Sequence, residues 1–104
     1  MKILRDIYSR QIRFTDERWE HIKTEHPEIS EQLKKIQETL LSPDKIVKSR
    51  IDPDVELFYR YYDITPVTQK YLCIVVKVLV ADLFIITVYF TDTIKKGEVL
   101  WEKK

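Results

Sequence analysis

The stretch Gln69–Thr91, QKYLCIVVKVLVADLFIITVYFT, decides how the rest of the chain must be arranged. Two apolar, β-branched runs flank Val80, Ala81 and Asp82. A membrane-spanning helix needs about 20 consecutive apolar residues, and the stretch is long enough. Lys77 and Asp82 interrupt it, however, and its Ile, Val, Thr, Tyr and Phe side chains favour a pleated surface. A tight hairpin of two long strands is expected. Successive strand side chains point to opposite faces. Leu72, Ile74, Val76 and Val78 then make one wholly apolar face, matched in the second run by Phe84, Ile86, Val88 and Phe90. The opposite face carries Lys77, Ile85, Thr87, Tyr89 and Thr91. The first face calls for a helical cover, and chemistry is expected on the second.

Working outward, residues 2–14 hold two short apolar pieces around Ser9-Arg10, a small hairpin or one extended arm. A helix should then begin at Thr15, a suitable N-cap. Asp16 and Glu17 suit the positive end of its dipole, and Phe14 and Trp19 flank the cap as a hydrophobic staple. This helix should span about residues 16–25 and break at His26, because the residue before a proline avoids helical geometry. Ile29, Leu33, Ile36, Leu40 and Leu41 follow the 3.6-residue period of a second helix, ended by Ser42-Pro43. Strands follow at 44–51 and 55–62, with Glu56, Phe58, Arg60 and Tyr62 on one face of the latter. Gly97, the only glycine, suggests a turn before a last short strand at Val99–Trp101. The expected architecture is one α+β domain over 1–104. Its two N-terminal helices would pack on one face of a four- or five-stranded antiparallel sheet.

Composition narrows the function. A chain of 104 residues builds a single core. Eighteen basic residues against 17 acidic ones exclude a non-specific nucleic-acid coater, but not an enzyme with a local basic pocket. The lone Cys73 excludes an intrachain disulfide and reads as a small buried hydrophobe. Arg5, Asp6 and Arg10 interrupt the N-terminus before any signal-like apolar region, so a cytoplasmic location without a membrane partner is expected.

Two histidines in WEHIKTEHPE, His21 and His26, are candidate general acid–base groups. Their spacing does not align both rings on one helix face, and no further ligands support a metal, so neither metal nor cofactor is expected. Arg60 and Lys77 lie within aromatic or apolar strands, where a charge needs water, a carboxylate or a ligand. Together with Tyr89 they could converge on one sheet surface, offering cations to a phosphate and a phenol for hydrogen bonding. Each residue also has an ordinary reading as a solvated side chain.

The segments IRFTDERWEHIKTEHPE, ETLLSPDKIVKS, KYLCIVVKV and ITVYFTDTIKKGEVLW resemble a family of small bacterial and phage-associated domains. That family is grouped with the barnase–EndoU–colicin–RelE-like nuclease fold. The resemblance implies metal-independent, toxin-like RNA cleavage by attack of the ribose 2′-hydroxyl on the adjacent phosphorus. It implies acid–base work for His21 and His26, phosphate contacts from Arg60 and Lys77, and positioning or proton donation by Tyr89 and Thr91. RNA is the implied substrate, with an antitoxin or inhibitor protein as a further partner. The chain lacks the strong positive charge common among ribosome-dependent toxins. The competing expectation is a non-catalytic interaction domain that uses a sheet edge or the aromatic strand 58–62.

Overall fold

The computed structural model describes residues 1–104. In chain order it contains strands β1 (Lys2–Arg5) and β2 (Gln11–Phe14), helix α1 (Asp16–Glu25), a 3-10 turn at Pro27–Ile29 and helix α2 (Leu33–Leu41). Strands β3 (Lys45–Lys48), β4 (Val55–Tyr61), β5 (Tyr71–Val78), β6 (Leu83–Thr91) and β7 (Val99–Glu102) complete it.

Local signals act as expected around α1. The Thr15 hydroxyl accepts the Arg18 N–H at 3.1 Å, and the Phe14 and Trp19 rings meet at 5.4 Å. The helix ends before Pro27, with the His26 N–H donating to the Ile22 carbonyl. Helix α2 starts later than the periodicity suggests: Ile29 is buried from the 3-10 turn. Leu41 is 55% exposed, outside the buried stripe of Ile36 and Leu40.

The sheet is larger than the sequence suggests, and it is mixed. Seven strands lie in the order β1-β2-β6-β5-β4-β3-β7. This corrects the expected four- or five-stranded antiparallel sheet. Residues 2–14 form a true hairpin, and β2 joins the outer edge of β6 in parallel at Arg13 and Phe84. A nine-residue strand such as β6 leaves a long row of backbone groups along its outer edge, and β2 meets it at the start of that row. Because β2 and β6 are far apart in sequence, no tight turn imposes an antiparallel direction on them.

The helices cover one face. Ile22, Ile29, Ile36 and Leu40 pack with Ile46, Phe58, Leu72, Ile74, Val76, Ile85 and Val88 in a single core. Here the simple alternation fails in β6. Thr87 pairs with Val75 but Ile85 pairs with Val76, leaving Ile86 as the extra residue of a β-bulge. The bulge reverses the parity of the strand's first half. Ile85 therefore enters the helix-side core, while Ile86 packs on the opposite face.

The opposite face has a covering of its own. The chain leaves β6 at Thr91 and reaches β7 beyond β3, crossing β5, β4 and β3 on the way. Four inter-strand steps of about 4.8 Å make roughly 19 Å. Seven residues at about 3.3–3.6 Å each reach about 23–25 Å, enough to cross with little to spare. Asp92–Glu98 is thus a strap laid across the sheet. Ile94 packs against the small cluster of Val47, Val55, Leu57, Tyr59 and Cys73, and the Lys95 N–H donates to the Tyr59 hydroxyl at 3.1 Å.

Candidate functional site

Cross-strand register sorts the strap-side face into rows. Leu57, Val75 and Thr87 form one row, Tyr59, Cys73 and Tyr89 the next, and Tyr61, Tyr71 and Thr91 the last. The strap covers the middle row, which is why Tyr59 and Cys73 are fully buried. Burial pushes the Cys73 thiol up to about 11, against a smaller opposing pull from the Tyr89 and Tyr59 hydroxyls. Burial also raises both phenols, so all three groups stay protonated at neutral pH.

Beside the strap lies a cleft of about 610 Å³. Val55, Leu57 and Val75 are its apolar floor, and Thr87, Tyr89 and Ser49 add hydroxyl-bearing side chains. Arg50, Lys95 and Lys96 line its walls, and no carboxylate does. None of these three cations makes an ion pair within 4.0 Å. A concave site of one charge sign concentrates anions, because its field is not cancelled locally.

Two local devices shape the walls. Gly97 is required by close approach rather than by a turn: a Cβ there would press on the Lys48 carbonyl and come within 2.8 Å of Val47 Cγ1. The strap can therefore dock on β3, where the Lys48 N–H donates to the Glu98 carbonyl at 2.8 Å. The β3–β4 loop is tied as firmly. Ser49 Oγ accepts the N–H groups of Ile51 and Asp52, and Lys77 Nζ donates to Asp52 Oδ2 at 2.5 Å. That hydrogen bond holds the Asp52 carboxyl below its usual range. Ile51 consequently lines the cleft while 92% exposed.

The candidate residues from the sequence divide accordingly. Tyr89 lines the cleft. His26 does not line the cleft; its ring centroid lies 6.2 Å from that of Tyr89, which does, and its Nδ1 is 3.4 Å from Glu28 Oε1. His21 is exposed on α1 among Glu17, Arg18, Glu20 and Glu25, and the structure does not bring it to the cleft. Thr91 is engaged in its own turn, donating to the Thr93 carbonyl at 3.2 Å. Lys77 is committed to Asp52.

Arg60 does not converge with Lys77 and Tyr89. Phe58 pairs with Ile74 on the helix side, so Arg60, two residues on, emerges there as well. It donates to the Ser42 carbonyl and lies 3.4 Å from Glu38 Oε1. The aromatic strand 58–62 is likewise mostly spent on packing. Phe58 and Tyr59 are buried, and Tyr62 is tied to Thr39 and Glu38. Sequence reasoning assigned no role to Arg50, Lys95 or Lys96. The adjacent lysines before the only glycine were the available signal, but nothing in their spacing says that the segment crosses the sheet. No protein-family model, curated protein or solved structure matches the chain.

Proposed function

We propose that the protein is a metal-independent endoribonuclease whose substrate lies in the strap-side cleft. The observation that carries this reading is the wall of Arg50, Lys95 and Lys96 over an apolar floor, unopposed by any carboxylate. Such a lining suits a phosphate backbone together with the flat face of a base. His26 is the acid–base group in this reading, with Glu28 as its orienting partner. It takes the ribose 2′-hydroxyl proton, and the 2′-oxygen attacks the neighbouring phosphorus. Lys95 and Lys96 stabilise the added negative charge, and one of their ammonium groups gives a proton to the 5′-oxygen as its bond to phosphorus breaks. The Tyr89 ring positions the substrate. An inhibitor protein with an acidic surface would compete for the same wall.

A second reading is favoured by a specific observation: no histidine lines the cleft, His26 only approaching Tyr89, and Arg60 and Lys77 are committed elsewhere. In that reading the cleft holds RNA without cutting it. Single-turnover incubation with RNA and its 2′-deoxy analogue in EDTA separates the two. Cleavage of RNA alone, leaving cyclic phosphate ends, with a 10²–10⁴-fold loss in His26→Ala, is the expected result of general acid–base catalysis. Tight binding without cleavage would leave the non-catalytic reading.

A further inference from the structure

The strap divides its face of the sheet into two hollows, and Tyr71 lines the second with Tyr61 beside it. Tyr61 and Tyr71 are directly cross-strand, with ring centroids 5.6 Å apart in an edge-on arrangement. Tyr71 and Ile94 line a hollow of about 360 Å³, together with Lys103 and Lys104. Tyr61 is 47% exposed, although the residues on either side of it are drawn into the fold. Its backbone is fixed, since its N–H donates to Asp44 Oδ2 at 2.7 Å. The hollow's two carboxylates are both engaged, Asp44 by that N–H and Glu102 by Lys45 at 3.5 Å. An exposed aromatic ring held edge-on by a second is rigid and loses little freedom when a flat ligand covers it.

We propose that Tyr61 and Tyr71 form a base-stacking subsite, making the strap-side face a bipartite site for single-stranded nucleic acid. One base enters the cleft beside Val75, the backbone passes over the strap at Lys95 and Lys96, and a later base stacks on Tyr61. The row of Tyr61 is four residues from the row of Leu57 along β4, a separation of about 13 Å. That is beyond a single nucleotide and within a short oligonucleotide. The inference rests on the cleft as a nucleic-acid site, but it adds a length requirement that the cleft alone does not have.

The test uses 2′-deoxy oligothymidylates of one to six residues, which cannot undergo 2′-hydroxyl attack. Affinity should rise in a step once the chain is long enough to pass the strap. Stacking on an aromatic side chain is worth about 1–3 kcal/mol per base, which corresponds to roughly 5–150-fold in affinity. Tyr61→Ala should lose an amount in that range with the longest oligomer and nothing with thymidine monophosphate, while Tyr61→Trp should retain the step. Lys96→Ala should weaken binding at every length. Equal affinity of Tyr61→Ala and the unsubstituted protein for the long oligomers, with monophosphate still bound, would overturn the stacking subsite and leave the cleft reading intact. No binding at any length would overturn both.

Discussion

Replacing Gly97 by alanine tests the strap, because the structure fixes what the added methyl meets. The new Cβ would press on the Lys48 carbonyl oxygen, which is backbone and cannot rotate away, and on Val47 Cγ1 at 2.8 Å. Overpacking of this kind costs about 1–3 kcal/mol. Moving the strap outward to relieve it endangers the bond from the Lys48 N–H to the Glu98 carbonyl, worth about 1 kcal/mol. A loss of about 2–3 kcal/mol is expected. In urea, with a slope of about 1.5 kcal/mol per molar, the midpoint should fall by roughly 1.3–2 M at unchanged slope. Lys95 and Lys96 lie two and one residues away on the same strap, so oligonucleotide affinity should fall under conditions where the protein remains folded. Both readouts are needed. An unchanged urea midpoint would show that the strap is not seated on β3 as described. A lowered midpoint with unchanged affinity would separate the strap from the binding site.

Val76→Asp should abolish cooperative thermal unfolding, since Val76 is fully buried beneath the helices and its carboxylate would have no partner; a sharp melting transition would refute the assigned parity of β5. Arg60→Ala should lower the melting temperature by loosening the Ser42 end of α2, yet leave oligonucleotide affinity unchanged in a filter-binding titration. Stability should decline as pH rises. The folded Cys73 and Tyr62 values of about 11 and about 12 lie above their ordinary ones, so the folded state holds protons that the unfolded state releases. The Cys73 contribution is intact below about pH 8.5 and is lost as pH rises through 11, and that of Tyr62 is intact below about pH 10 and is lost through 12. Melting temperatures measured from pH 7 to 11 should show this fall, and Cys73→Ala should shallow it. For the same reason iodoacetamide at pH 8 should modify Cys73 only in denaturant.

What the sequence determined by itself is local. Thr15, the Phe14–Trp19 staple and His26-Pro27 set the limits of α1, because caps and prolines act on residues within one turn. The alternation of Leu72, Ile74 and Val76 set the buried face of β5, because a strand's period is intrinsic to its backbone. Tertiary structure decided the rest. The parallel pairing of β2 with β6, the bulge at Ile86 and the register that sends Arg60 to the helix side all depend on which edges meet. A one-residue shift in that meeting exchanges the faces without altering the pattern of either strand. The site shows the same division. Tyr89 and His26 were legible as chemistry-bearing residues near a strand and a helix end. Arg50, Lys95 and Lys96 became a wall only because seven residues must stretch across three strands to reach β7, and because the residue that touches β3 on the way, Gly97, has no side chain.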